Sequence, residues 1–111
     1  MIGAIIGDIV GSRFEFDNGN KSRDFELFTP QCEYTDDTVM TIAVAEALMA
    51  VGMDAGEDEI KDALIKSMKD WGHKEPGAGY GGMFVAWLFS RKTDPYGSFG
   101  NGSAMRVSVS A

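Results

Sequence analysis

Residues 33–41 read EYTDDTVMT and place two adjacent carboxylates between two threonines, at the point where a helical apolar pattern begins. Thr35 is a good N-cap residue, and Asp36 and Asp37 in the first turn would interact favourably with the helix dipole. The same three side chains also offer the oxygen ligands that Mg²⁺ and Mn²⁺ prefer. This stretch therefore leaves two interpretations open, a well-capped helix or part of a metal site.

Two of the acidic residues that precede this stretch, Asp8 and Glu15, could also have a role in a site. Asp8 lies among isoleucines, where an unpaired carboxylate is costly, so we expect it to be hydrogen-bonded and to have a structural role. Glu15 follows seven residues later, nearly on the same face if the helix continues that far. Because Glu15 lies past the last clear apolar repeat, we expect a helix-end or loop position. From there its carboxylate either reaches into a cleft or is solvated at the surface.

A glycine-rich motif, the single histidine and a serine resemble parts of known functional sites, but the sequence around each of them does not match such a site. Residues 77–82, GAGYGG, satisfy the pattern G-x-G-x-x-G, but no strand pattern precedes them, so a dinucleotide-binding fold is not predicted. His73 is the single histidine and falls near a predicted helix end. Ser103 lies in GNGSAM, which is not a G-x-S-x-G elbow. A serine triad is therefore not predicted.

The elements that must position these residues are predicted to be helices. Apolar residues recur at helical spacing and show no sustained alternation, which predicts an all-α fold. Gly52 and Gly72 are predicted to end the second and third helices. The predicted helices span about residues 2–13, 36–51, 57–71 and 82–91, with a fifth starting near Ser103, and residues 17–33 are predicted to form a long loop.

Glycines are abundant, with 14 in the chain. Gly3, Gly7 and Gly11 lie four residues apart, and each costs about 1 kcal/mol in a helix relative to alanine. We therefore expect the first helix to be buried, with another backbone packed against its glycine face. The glycine-rich loops at 75–82 and 96–103 each precede a predicted helix, where backbone N–H groups can bind an anion.

Composition limits the class of protein. A chain of 111 residues with 44% hydrophobic residues is expected to form a single domain, residues 1–111. The net charge of −7 argues against binding to nucleic acid or to anionic membranes. The apolar N-terminus is interrupted by Asp8 and predicts neither a signal peptide nor a membrane span. The single Cys32 cannot form an intramolecular disulfide and fits a reducing, cytoplasmic setting.

Four segments, in this order along the chain, resemble the ADP-ribosylglycohydrolase family, which includes dinitrogenase reductase-activating glycohydrolase and the vertebrate ADP-ribosylhydrolases. Each segment is weak evidence alone, whereas the ordered combination is specific. They are GAIIGDIVGSRFE at 3–15, YTDDTVMT at 34–41, GAGYGG at 77–82 and GNGSAMRVS at 100–108.

The resemblance implies an all-α, orthogonal multi-helix fold that holds two Mg²⁺ or Mn²⁺ ions in a cleft. It also implies hydrolysis of the N- or O-glycosidic bond between ADP-ribose and an acceptor on a protein or a small molecule. By motif match, Thr35, Asp36 and Asp37 would be metal ligands, and Glu15, Asp36 and Asp37 the catalytic residues. The residues implied to line the ADP-ribose are Gly79, Ser98, Phe99, Gly100, Asn101, Gly102, Ser103 and Met105.

The chain departs from the family pattern at its C-terminal end. Members are usually well over twice as long and carry an Asp-x-Asp-Thr motif that completes both metal shells, and this motif is absent here. We therefore expect a truncated, N-terminal portion of the domain with an incomplete two-metal site. Exposed apolar surface would then favour self-association or a missing C-terminal half as a partner. The alternatives are a non-catalytic module that binds ADP-ribose or a protein, and an inactive remnant.

Overall fold

The computed structural model describes residues 1–16 and 22–110, and these residues form only helices and loops. The all-α prediction is therefore confirmed for the described part of the chain. Residues 22–33 of the predicted loop contain no helix or strand, and its residues 17–21 lie outside the described ranges. The α-helices are α1 Ile2–Gly11, α2 Asp36–Val51, α3 Glu57–Lys74, α4 Gly82–Leu88 and α5 Gly102–Met105, and 3₁₀ helices follow α1 at Ser12–Phe14 and α5 at Arg106–Val109.

Helix α2 lies at the centre of the structure and contacts α1, α3, α5 and the second 3₁₀ helix. The neighbouring helices cover most of the surface of α2, because its small alanine and threonine side chains let them approach closely. Its buried residues are Thr38, Val39, Met40, Thr41, Ala43, Ala45 and Ala47. The apolar core forms where α2 meets α4 and the segment before it, and it comprises Val39, Met40, Ala43, Tyr80, Trp87 and Leu88.

The two glycines predicted to end helices behave differently. Gly52 ends α2 as predicted, with a φ of 80° and its N–H donated to the Leu48 carbonyl at 3.1 Å. The prediction for Gly72 was wrong, because α3 continues through it to Lys74. A Cβ added at Gly72 would lie 2.7 Å from Cδ1 of Leu88, which is fully buried. Glycine at this position therefore allows α3 and α4 to approach closely.

Helix α4 ends at Leu88 rather than near residue 91. A lysine of α3 binds the carbonyls at and just after this helix end. Lys69 Nζ donates to the carbonyls of Trp87 and Ser90 at 2.8 Å each. The Lys69 ammonium also lies 4.5 Å from the centre of the Trp87 ring. A side chain from α3 thus fixes the end of α4 in a way that the local sequence pattern does not reveal.

The prediction of a buried α1 with a packed glycine face was wrong. Val10 is its one buried residue, Ile2 is 71% exposed, and added Cβ atoms at the three glycines would meet nothing within 4 Å.

Within the described ranges no helix combines the length and hydropathy that a bilayer crossing requires. The other exposed large apolar side chains are Met1, Ile6, Phe16, Phe25, Leu27, Phe28, Tyr34, Met49, Met53, Met83, Phe89, Phe99 and Val107.

The close approach at Gly72 can be tested against a glycine with open space. Gly72→Ala should lower the free energy of unfolding by about 1–3 kcal/mol, because the new methyl group meets the buried Leu88 side chain. Gly3→Ala should be neutral or stabilise by up to about 1 kcal/mol, because it only improves helix propensity. Urea unfolding followed by circular dichroism measures both, and a Gly72→Ala variant as stable as wild type would contradict the packing role.

Candidate functional site

The start of α2 is held by a carboxylate from α1. Asp8 Oδ2 accepts hydrogen bonds from the backbone N–H of Thr35 at 2.8 Å and of Thr38 at 3.1 Å. The Thr35 hydroxyl donates to Asp8 Oδ1 and the Thr38 hydroxyl to Oδ2, both at 2.6 Å. Asp8 is therefore paired, as expected from its apolar sequence context. Its oxygens are already engaged, so we do not count it among the candidate metal ligands.

Thr35 is the N-cap of α2, as the helix-capping interpretation predicted. Its backbone is extended, and its hydroxyl oxygen accepts from the Asp37 N–H at 3.3 Å while donating its own proton to Asp8. A hydroxyl has one proton and two lone pairs, so one lone pair of Thr35 is left for a further partner. The cap and the metal site therefore do not exclude each other.

Asp36 and Asp37 face an acidic cleft of about 490 Å³ between α1 and the start of α2. Glu15 follows the first 3₁₀ helix at a helix end, as predicted, and lines the same cleft. The glycine face of α1 contributes Gly7 and Gly11 to the wall, so the space over these glycines is the cleft itself. The full lining is Ala4, Gly7, Asp8, Gly11, Ser12, Glu15, Thr35, Asp36, Asp37 and Asn101.

Burial and mutual repulsion act on the paired carboxylates. Burial raises the pKa of Asp36 to about 6, and the nearby charges of Asp37, Glu15 and Asp8 add to the effect. Burial also raises the pKa of Asp37, again with help from Asp8 and Glu15. Among the described residues, no lysine or arginine lines the acidic cleft. At neutral pH the carboxylates of the acidic cleft repel one another, and a bound cation would reduce this repulsion.

A second cleft, of about 270 Å³, lies between the glycine-rich loop before α5 and the start of α4. We call it the loop cleft. Of the residues predicted to line ADP-ribose, Ser98, Phe99, Gly100, Asn101, Gly102 and Met105 are found here. Asp36 and Asn101 line both the loop cleft and the acidic cleft, so the two adjoin at the first residue of α2.

The loop cleft also contains residues that the sequence analysis did not single out. Phe84, Tyr96 and Arg106 are among them, and the Arg106 guanidinium lies 5.1 Å from the centre of the Phe84 ring. Burial lowers the pKa of Arg106, which is the one cationic residue that the described part of the chain contributes to this lining. Its position within GNGSAMRVS, as the single charge of that motif, was the available signal.

The structure does not bring Gly79 and Ser103 into the loop cleft. Gly79 has a φ of 97° and lies beside Asp36, with 3.9 Å between an added Cβ and Asp36 Oδ1, and it lines a third cleft with Glu15 and Thr35. Ser103 lines an apolar groove beside Val107. Gly102 lines the loop cleft and Ser103 the groove, whereas Arg106 lines both.

The predicted ligands fit a hard divalent cation in type, because Thr35, Asp36 and Asp37 offer one hydroxyl and two carboxylates. They do not complete a shell. Among residues 1–16 and 22–110, no three histidine, cysteine, aspartate or glutamate side chains are grouped closely enough to hold an ion. These three residues would supply only part of a coordination sphere, and water or further groups would have to supply the rest.

Comparisons with known proteins agree on one family. The sequence profile of the family described as ADP-ribosylglycohydrolase matches residues 1–111. The chain is 27% identical to the protein named ADP-ribosylhydrolase ARH3 from Xenopus tropicalis and 30% identical to the protein of that name from Gallus gallus. Each alignment covers 96% of this chain but 36% of the relative, so the chain spans about a third of their length. No solved structure matches significantly.

The raised pKa of Asp36 predicts how stability depends on pH without divalent ions. The folded-state pKa of about 6 lies above the ordinary value of 3.8, so the folded protein binds the proton more tightly. Stability should be greatest near pH 4 and fall as the pH rises through 6, by about 1 kcal/mol after allowing for solvent screening. Urea unfolding across this range should show the fall in wild type but a flatter profile in Asp36→Asn.

A matched control is Glu57→Gln, which changes the first residue of α3 at an exposed position. This variant should keep the wild-type dependence on pH, because the Glu57 side chain is 90% exposed and solvent screens its charge. An Asp36→Asn variant whose stability falls with pH as steeply as that of wild type would contradict the assignment.

Proposed function

Because the chain belongs to the ADP-ribosylglycohydrolase family, we propose that it takes part in metal-dependent hydrolysis of the glycosidic bond between ADP-ribose and an acceptor. The observation that carries the proposal is that Asp36 lines both the acidic cleft and the loop cleft. A ligand with a diphosphate in one cleft and a ribose in the other would span this junction. The acceptor would belong to an ADP-ribosylated protein or small molecule.

Thr35, Asp36 and Asp37 would hold Mg²⁺ or Mn²⁺ in the acidic cleft. Paired divalent ions orient ribose hydroxyls and lower the pKa of bound water. Within residues 1–16 and 22–110, no cationic side chain lines that cleft to balance its carboxylates, which supports a metal requirement. Because the chain supplies only part of the ligands, we expect weak affinity, with water filling most of the shell.

Glu15 is the proposed acid beside the scissile bond. Cleavage at an anomeric carbon passes through an oxocarbenium-like state that a carboxylate stabilises and a water molecule traps. Glu15 lines the acidic cleft opposite the start of α2, so its charge would face the ribose held by the aspartate pair. Asp36 or Asp37 would hold the attacking water as well as the ions.

The loop cleft would hold the ADP portion. Backbone N–H groups of the loop 98–102 suit a diphosphate on a protein of net charge −7, and the Arg106 guanidinium adds one positive charge. The exposed ring of Phe99 and the partly buried ring of Tyr96 offer apolar faces for a base. The apolar and cationic lining is thus complementary to a nucleoside diphosphate.

One observation favours a second function, a module that binds ADP-ribose without cleaving it. The described residues provide no group of three carboxylate, histidine or cysteine ligands, whereas they do line the loop cleft of about 270 Å³. A binding module needs only the loop cleft. Self-association, a C-terminal partner and a cytoplasmic setting, the last inferred from the single Cys32, stay predictions.

The two functions differ in their dependence on metal. For the hydrolase, wild-type chain with Mn²⁺ should release ADP-ribose from a modified protein, and the release should stop with EDTA. Asp36→Ala and Asp37→Ala should each lower the rate by at least about 100-fold, because they remove ligands. Chromatographic detection of free ADP-ribose measures this, and calorimetric binding of ADP-ribose that survives EDTA, without release, would support the binding module instead.

The loop cleft itself can be tested within one motif. Asn101→Ala should weaken ADP-ribose binding about tenfold, because Asn101 lies at the junction of both clefts and one lost hydrogen bond to a charged group has about this effect. Ser103→Ala, two residues away, is the control and should leave affinity unchanged because its side chain lines the apolar groove. Titration calorimetry measures both, and equal losses would place the nucleotide elsewhere.

A further inference from the structure

We propose that Asp8 is a positioning residue that fixes the ligands at the start of α2 relative to Glu15, and thereby determines the affinity of the site for a divalent ion. This inference rests on the proposed metal site. Asp8 touches neither ion nor substrate in it. It acts through Thr35, and through the helix that leads from Asp8 to Glu15.

The Asp8 carboxylate accepts four hydrogen bonds, and both of its oxygens take part. A single carboxylate accepts two backbone N–H groups and two hydroxyls, all from the first turn of α2 and the residue before it. The two O–H contacts, at 2.6 Å, are at the short end that charge-assisted hydrogen bonds reach. Thr38 is 7% exposed, so solvent competes little for its hydroxyl. The turn that carries Asp36 and Asp37 is thus held at both ends.

The contact also determines what Thr35 can offer to an ion. A metal needs a lone pair, and a freely rotating hydroxyl can instead turn its proton toward the site. In this structure the Thr35 proton is committed to Asp8 Oδ1 and one lone pair to the Asp37 N–H. These two hydrogen bonds fix the orientation of the Thr35 hydroxyl, so its remaining lone pair points in one direction. Hydrogen bonds of this kind to a metal ligand typically change affinity by about 10–100-fold.

Asp8 further connects the two halves of the acidic cleft. Glu15 lies on the continuation of α1, whereas Asp36 and Asp37 lie on α2, and the apolar contacts of α1 are few because Val10 is its one buried residue. Further polar links join the segment after α1 to the loop before α2. The Ser12 hydroxyl oxygen accepts from the Glu33 N–H at 3.1 Å, and Arg13 Nη1 donates to the Thr29 hydroxyl at 2.7 Å. The Arg13–Thr29 hydrogen bond does not involve the proposed ligands, so it can be separated from the Asp8 contacts by mutation.

The test is Mn²⁺ binding to the whole chain, measured by titration calorimetry and by the electron paramagnetic resonance signal of free Mn²⁺. Asp8→Asn should raise the dissociation constant at least about tenfold, since an amide cannot accept all four hydrogen bonds. Thr38→Val, which removes one of the four, should give a smaller rise, and Thr38→Ser should restore wild-type affinity. Thr38→Val and Thr38→Ser keep the test available if Asp8→Asn fails to fold.

The control is Thr29→Val, which removes the hydrogen bond from Arg13 to the loop before α2 and lies outside the lining of the acidic cleft. It should lower the free energy of unfolding but leave the Mn²⁺ dissociation constant within about twofold of wild type, because no ligand contact changes. If Thr29→Val and Thr38→Val weaken Mn²⁺ binding in proportion to their loss of stability, the role of Asp8 is only structural and the inference is overturned. Wild-type chain that binds no Mn²⁺ at millimolar concentration would overturn the metal site as well.

Discussion

The hydrogen bonds between the Asp8 carboxylate and the start of α2 are the interaction on which the site depends. Helix α1 has one buried apolar residue and an open glycine face, so hydrophobic packing alone does little to fix its position. The four hydrogen bonds to Asp8 supply that missing constraint. They also satisfy N–H groups that the first turn of a helix leaves unpaired, so one carboxylate both caps α2 and docks α1.

The docking creates a cleft with like charges on both walls. Glu15 comes from the segment after α1 and the aspartate pair from α2, and in the part of the chain that the structure describes no basic side chain lines the space between them. The cost of this arrangement is visible in the raised pKa of Asp36. The carboxylates repel one another most when all of them are ionised and no cation is bound. Binding of a divalent cation or a polar ligand would reduce this repulsion.

Glycines illustrate how one residue type serves different purposes in a single fold. Gly52 supplies a positive φ at a helix end, and Gly72 lets Leu88 approach inside a helix. Gly7 and Gly11 keep the wall of the acidic cleft free of side chains. Each case follows from the absence of a Cβ atom, yet the local sequence looks similar at all of them. Only the neighbours in space distinguish a turn, a close contact and an open surface.

The sequence by itself determined the helical class, the start and end of α2, the Thr35 cap and the pairing of Asp8, because apolar periodicity and capping act over a few neighbouring residues. Tertiary structure decided the rest. The exposure of α1, the passage of α3 through Gly72 and the turning of Ser103 away from the loop cleft depend on which distant elements meet. The adjacency of the two clefts at Asp36 likewise arises from α2 lying between α1 and α5, a long-range contact that no local pattern encodes.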